Sequence, residues 1–232
     1  MKLLYVIGLG CLIGVAGCTA SRGFDRGKLS DSLSPESVVT EDEIQRVLEL
    51  KPQLPRPFKL GVYFKQPATH YWGSGWQWSP EDKELFLELG KTLAARGIVS
   101  ETVLVSSATA ADEELKSIRL AAARHGVDAV LVISGVSDID RYNNALGPTY
   151  ILIVTPFFVP GTVVDSLFVS HAALWDVRNG FLYTSVEADG TASQTRPAFF
   201  AREEVVTDLA KSEAFTSLKD AVVDHIESIA AP

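Results

Sequence analysis

Side chains that could catalyse a reaction or bind a metal are few in this sequence, and they lie far apart. No two of its four histidines are separated by four residues; they are His70, His125, His171 and His225. The sequence therefore lacks the His-Glu-x-x-His pattern of many zinc hydrolases. Its two cysteines are too few for a Cys-rich zinc site or a disulfide framework.

Two aspartates have the spacing of a weak cation-site candidate. Asp138 and Asp140 alternate at the end of a predicted buried strand, and carboxylate oxygens suit divalent cations. Alternating aspartates at a strand end more often face solvent, so we predict neither a metal nor a cofactor.

His171 lies in phase with Asp165 on one face of a predicted strand, which makes it a minor catalytic candidate. We expect a protein that is not an enzyme, with a hydrolase assembled from distant residues as an alternative.

A loop rich in aromatic residues is the strongest candidate for binding. Tyr71, Trp72, Trp76 and Trp78 follow His70 within nine residues, and three of the four tryptophans are among them. Aromatic rings with polar neighbours can stack on sugars, enter a groove of a partner or lie in a membrane interface. The alternative is that these rings simply pack over the end of the sheet.

The N-terminus carries a second, more specific signal. Lys2 precedes an uncharged and mostly apolar stretch of 14 residues, Leu3 to Ala16. As a helix this stretch would be about 21 Å long, shorter than the hydrocarbon core of roughly 30 Å. Its length suits the apolar region of a signal peptide. An uncleaved anchor from Leu3 to Ser21 is the alternative, although four glycines weaken it as a stable span.

The end of this segment, Val15-Ala16-Gly17-Cys18, resembles the lipobox of bacterial lipoproteins. The resemblance implies that residues 1–17 are removed and that Cys18 becomes the lipidated first residue. Cys11 would leave with the signal, and no free thiol would remain. Thr19 stands where lipoproteins retained in the inner membrane tend to have aspartate, so the resemblance implies the outer membrane, facing the periplasm.

Charge narrows the range of partners. The formal net charge is −8 at pH 7, which argues against nucleic acid, because phosphate binding needs clustered cations. An acidic domain is also repelled by anionic headgroups. We therefore expect the lipid on Cys18 to hold the protein at the membrane.

The remaining pattern predicts three regions: the signal peptide 1–17, a lipidated tether 18–57 with a short helix at 41–50, and one globular domain 58–232. Two β-α-β units precede consecutive strands, which indicates an α/β (α+β) fold with a mixed sheet. We predict about six strands in the order β-α-β-α-β-β-β-β-α, with Tyr150 to Val159 as the fourth strand. Membrane insertion of the hairpin 149–177 is disfavoured, because Tyr150 to Val154 is apolar on both sides.

Several short motifs carry a wider resemblance over residues 54–190. Gly126 followed by Asp128-Ala-Val-Leu-Val, and Trp175-Asp-Val-Arg-Asn-Gly, resemble the α/β domain of the curli-secretion lipoprotein and of the N-terminal domain of TolB. Leu54-Pro55, Gly61-Val-Tyr-Phe, Val159-Pro-Gly and Val164-Asp are more similar to the rhombotarget lipoprotein group. The resemblance implies an envelope lipoprotein with this fold, and no specific activity.

We therefore expect a non-enzymatic, lipid-anchored envelope protein that acts through contacts with an envelope protein or peptidoglycan. The alternative is a subunit of a secretion or assembly complex that oligomerises, including with copies of itself as a homo-oligomer. The second alternative is a hydrolase whose site is not visible in the sequence.

Overall fold

A five-stranded sheet forms the centre of the computed structural model, which describes residues 20–33, 40–67, 75–152 and 154–230. The strands are β1 (Phe58–Phe64), β2 (Val99–Leu104), β3 (Ala129–Asn143), β4 (Thr162–Asp176) and β5 (Leu182–Arg196). The helices are α1 (Arg26–Leu33), α2 (Glu41–Leu48), α3 (Pro80–Ala95), α4 (Leu115–Arg124), α5 (Thr155–Phe158) and α6 (Glu203–Ala230). The strands lie in the order β2-β1-β3-β4-β5.

The sheet is mixed, as predicted. β1 is parallel to β2 and to β3, and the crossovers run through α3 and α4. β3, β4 and β5 are antiparallel, and β3 pairs with β4 over fifteen consecutive residues. A tight turn at Asn179-Gly180 joins β4 to β5, with Gly180 at φ +77°. The α/β class is thus confirmed.

The predicted strand from Tyr150 to Val159 is wrong, and the sheet has five strands rather than six. This segment forms a 3-10 turn at Gly147–Ile151 and the short helix α5. Pro148 and Pro156 each occupy one of the first positions of these turns, where the missing amide hydrogen costs nothing. The Tyr150 hydroxyl donates to the Val159 carbonyl and accepts from the Gly161 amide, which folds the segment back on itself.

The helices cover the two faces of the sheet unequally. α3 and α6 pack on one face, over residues such as Leu60, Leu131 and Leu174. On the other face, α4 covers Tyr63 and Val130 near the parallel strands. Among the described residues, no helix is long and apolar enough to cross a bilayer.

The segment directly after residue 19 covers the far part of this second face. Leu29 of α1 is buried against Val136 of β3 and against Leu167 and Val169 of β4. Residues 20–33 thus belong to the packed structure, although their Ser, Gly and charged residues indicate a flexible tether in the sequence. The short helix α2 forms at 41–48, inside the predicted range, and Thr40 caps it by accepting from the Glu43 amide.

Local signals define α3 well. Ser79 accepts from the Asp82 amide, and Asp82 accepts in return from the Ser79 amide, which makes a capping box in front of Pro80. The helix ends before Gly97, whose φ of +71° favours glycine.

The contact between α6 and β5 depends on a second glycine. A Cβ atom on Gly190 would lie 2.2 Å from the Ala210 carbonyl oxygen and 2.6 Å from the Ala214 nitrogen. Only glycine lets the backbone of the long helix come this close to the strand. The resulting contact covers the core along the edge strand β5.

Candidate functional site

Two of the predicted binding tryptophans lie inside an aromatic cluster between α3, α6 and the sheet. The cluster consists of Phe64, Trp76, Trp78, Phe86, Phe168 and Phe215. Trp78 stacks on Phe215 with ring centroids 5.0 Å apart, and Trp76 meets Phe168 edge-to-face at the same distance.

These contacts are typical of a core. Trp76 is only 8% exposed, and the indole nitrogen of the half-buried Trp78 donates to the Lys65 carbonyl at 2.8 Å. Both rings therefore pack between the last helix and the face of the sheet, and the binding role expected of the loop stays a prediction. Tyr71 and Trp72, the other two predicted residues, lie outside the described residues, as do His70 and Cys18.

A buried ion pair lies beside the aromatic cluster. The Lys211 ammonium group lies 2.9 Å from the Asp82 carboxylate, and the two side chains are 5% and 10% exposed. Lys211 also donates to the Gln77 carbonyl and pairs with Asp208 on its own helix. One ammonium group thus joins α6 to the start of α3 and to the loop before it. Its three oxygen partners offset the loss of water.

The carboxylates considered as a cation site hold the N-terminal segment instead. Asp140, 3% exposed, accepts from the Ser21 hydroxyl at 2.5 Å, the Arg22 amide at 2.9 Å and the Gly23 amide at 3.0 Å. The Arg22 guanidinium group donates to Asp138 and to the Ile139 carbonyl. We call these five residues, Ser21, Arg22, Gly23, Asp138 and Asp140, the N-terminal clamp.

The clamp uses a conformation that favours glycine. Gly23 has φ +69°, and this turn directs two successive amides at one carboxylate oxygen, as in other backbone anion sites. No group of three or more possible metal ligands occurs in the parts of the chain that the structure describes. Asp138 and Asp140 stand out in the sequence as a pair, but the sequence does not predict the clamp, because Ser21 lies 119 residues before Asp140.

One serine and one histidine come within hydrogen-bonding distance on the exposed face of β4 and β5. His171 Nε2 lies 2.8 Å from Ser185 Oγ. Burial lowers the pKa of His171 and Lys65 adds to this effect, whereas Glu187 opposes it. The pair resembles a nucleophile and its base. A hydrolase with such a pair also needs hydrogen-bond donors directed at the oxyanion of its intermediate. Successive backbone amides of a strand point to opposite edges, so the strand around Ser185 does not direct two donors at one oxyanion.

The other described histidines have structural contacts. His125 follows α4, where its amide donates to the last carbonyls of the helix. His225 is exposed, and its Nδ1 lies 2.9 Å from the Thr184 hydroxyl.

A cavity of about 600 Å³ lies at the opposite end of the sheet from the clamp. Apolar side chains line most of it, among them Leu54, Phe58, Leu174, Phe181, Ile226 and Ile229. Arg56 and Arg96 stand at the same cavity; Arg56 donates to the Ile229 carbonyl, and Arg96 pairs with Glu227. Its size and lining are those of a site that holds an apolar group.

No protein-family model matches the chain, and no curated protein matches it either. The solved structures that are similar to parts of it include three bacterial proteins. A minor lipoprotein from Acinetobacter baumannii has 13% identity and a TM-score of 0.38, over 78% of this chain and 97% of that one. The lipoprotein GNA1162 from Neisseria meningitidis has 13% identity and a TM-score of 0.32, over 74% and 99%. A PelC dodecamer from Paraburkholderia phytofirmans has 17% identity and a TM-score of 0.32, over 75% and 93%.

The buried ion pair leads to a first prediction. Lys211→Met leaves the Asp82 carboxylate buried without its cation, so we expect the free energy of unfolding in urea to fall by about 3 kcal/mol. The matched control is Lys219→Met on the same helix, whose pair with Asp220 is more exposed. It should cost under about 1 kcal/mol. Equal losses in the two variants would show that the Asp82 contact contributes no more than a surface pair.

The N-terminal clamp leads to a second prediction. Asp140→Ala removes the shared acceptor of three donors, and we expect trypsin to cut after Arg22 or Arg26 about tenfold faster, since 1.4 kcal/mol of lost contact is tenfold in opening. The control Asp189→Ala removes only the exposed pair with Arg26 and should change cleavage little. Unchanged cleavage of the Asp140 variant would mean that the clamp does not hold this segment.

Proposed function

We propose that this chain is a lipid-anchored envelope protein that acts by binding rather than by catalysis. In this proposal residues 1–17 are removed, Cys18 carries the lipid, and Thr19 directs the protein to the outer membrane, where it faces the periplasm. The proposal starts from the lipobox-like sequence that ends at Cys18.

The N-terminal clamp is the observation that carries the proposal. Ser21, three residues after Cys18, is bonded to the buried Asp140. Three residues span at most about 10 Å of extended chain. A membrane-bound Cys18 would therefore hold the folded domain directly at the bilayer, and the clamp would give the anchor a defined position on the domain.

The roles of the buried polar side chains support binding over catalysis. Asp82 and Lys211 join helices, and Asp140 holds the N-terminal segment. Asp176 accepts from the Tyr183 hydroxyl, which itself accepts from the Gln53 amide and so fixes the connector before β1. Each of these groups already has a structural partner.

The apolar cavity is the site where we place the bound partner. Its walls are apolar, and apolar pockets with a few polar groups are typical of sites that bury a partner's side chains. This favours a protein over peptidoglycan, whose surface is dominated by polar groups. An oligomerising subunit remains the alternative role.

Lipid attachment leads to a third prediction. Blocking signal peptidase II, or replacing Cys18 by Ser, should raise the apparent mass in gel electrophoresis, because the 17-residue signal stays attached. Incorporation of labelled palmitate should be lost in Cys18→Ser and kept in Cys11→Ser, because only Cys18 is the acceptor. Palmitate incorporation that survives Cys18→Ser would contradict the proposal.

Partner binding leads to a fourth prediction. A photoreactive residue at the exposed Pro55, on the cavity rim, should crosslink a protein partner in intact cells. Ile229→Asp places a charge in the cavity and should abolish this crosslink, whereas Ser228→Asp, on the exposed side of the same helix, should retain it. Crosslinks only between copies of the chain would support the oligomer instead. A crosslink that survives Ile229→Asp would exclude the cavity as the site.

A further inference from the structure

An exposed apolar surface lies at the end of the sheet that carries the N-terminal clamp. It is formed by side chains of the β3–β4 connection and of the turn before α6: Leu152, Val154, Phe157, Phe158, Phe199 and Phe200. We call these six residues the apolar tip. Phe158 is 80% exposed and Phe199 is 68% exposed.

The tip is one surface rather than scattered side chains. Phe157 and Phe199 stack with ring centroids 4.1 Å apart, which joins the two segments. The exposed parts of the four phenylalanines amount to about 500 Å² for side chains of this size. That area is already near the upper end of the largest apolar patch on a typical monomer, before Leu152 and Val154 are added.

Contacts connect the tip to the clamp. Asp140 and Arg141 are neighbours on β3, and the Arg141 guanidinium group donates to the Ala198 carbonyl and pairs with Glu203. Ala198 directly precedes Phe199 in the turn that bears the tip. The clamp and the tip therefore share one end of the sheet, because β3 ends at Asn143, about 10 Å beyond Asp140.

Charge favours a lipid surface as the occupant. Residues 144–164 contain no Asp, Glu, Lys or Arg, and the Phe199-Phe200 pair is flanked by the exposed Arg196 and Arg202. Apolar rings flanked by arginines suit the boundary between acyl chains and headgroups, where long cationic side chains reach back to water.

We propose that the apolar tip inserts into the bilayer leaflet that holds the lipid on Cys18, so that the protein docks with this end of the sheet against the membrane. The inference rests on the proposed lipid anchor, since Cys18 lies within about 10 Å of chain from Ser21. The anchor and the tip are two contacts with one surface, and two contacts orient the domain where a single anchor leaves it free to rotate.

Depth-dependent quenching tests the proposal on the full, lipidated protein. Single cysteines at Phe158→Cys or Leu152→Cys are labelled with an environment-sensitive dye, and the protein is reconstituted in phosphatidylcholine vesicles that contain a nitroxide-labelled acyl chain. The control is Leu182→Cys, an exposed apolar position at the other end of β5, about 45 Å away along the strand.

We expect a blue shift and loss of most of the fluorescence at both tip positions, and neither effect at Leu182. Serine in place of Phe157, Phe158, Phe199 and Phe200 should remove the quenching at Leu152→Cys. Equal quenching at Leu152 and Leu182 would overturn the proposal. Energy transfer between labelled copies without lipid quenching would assign the tip to self-association instead.

The parent protein, which carries no added cysteine, distinguishes failure of the docking proposal from failure of the lipid anchor. With Cys11 removed and Cys18 acylated, it offers no thiol and should take up no dye. Dye uptake by the parent would refute lipidation itself. An unlabelled parent together with an unquenched tip would refute only the docking.

Discussion

Pairing between β3 and β4 along fifteen residues is the constraint on which the rest of the structure depends. β1 pairs with β3 only from Leu60 to Phe64, so the parallel part of the sheet ends at Ile133. Beyond that point β3, β4 and β5 continue as an antiparallel ribbon. Such a ribbon is stable only when its apolar face is covered, and the helices of the two β-α-β units pack mainly on β1, β2 and the first part of β3.

Two elements outside the β-α-β units supply that cover. α6, with 28 residues, runs along one face and approaches β5 closely at Gly190. On the other face α1 buries Leu29 against Val136 and Leu167. The N-terminal clamp follows from this arrangement, because the chain must approach α1 past Asp140. Thus a requirement of sheet packing also sets where residues 20–33 lie.

The same ribbon separates the candidate functions in space. The end of the ribbon away from β1 carries the N-terminal clamp and the apolar tip, and the apolar cavity lies at the opposite end of the sheet. If the clamped end faces a bilayer, as proposed, the cavity opens away from it toward the periplasm. The buried Lys211–Asp82 pair lies between them and keeps α3, α6 and the aromatic cluster in a single unit.

Local signals in the sequence were sufficient for much of the fold. The capping box of Ser79 and Asp82 specified the start of α3, and Asn179-Gly180 specified the β4–β5 turn, because each depends on neighbours within a few residues. The apolar run at 150–159 was misleading, since an apolar run without periodicity does not distinguish a buried strand from an exposed helical turn. The Trp76 and Trp78 rings were likewise ambiguous, because ring type does not report burial.

The sequence by itself determined the mixed α/β class and the motif at Cys18, since periodicity, caps and the lipobox-like pattern are all read within short windows. Only the tertiary structure decided that Asp140 accepts a hydrogen bond from Ser21, 119 residues away, and that Phe157 stacks on Phe199. Such pairs depend on how far β3 extends and on which face each helix covers. These are properties of long-range packing, and no local pattern around Asp140 or Phe199 encodes them.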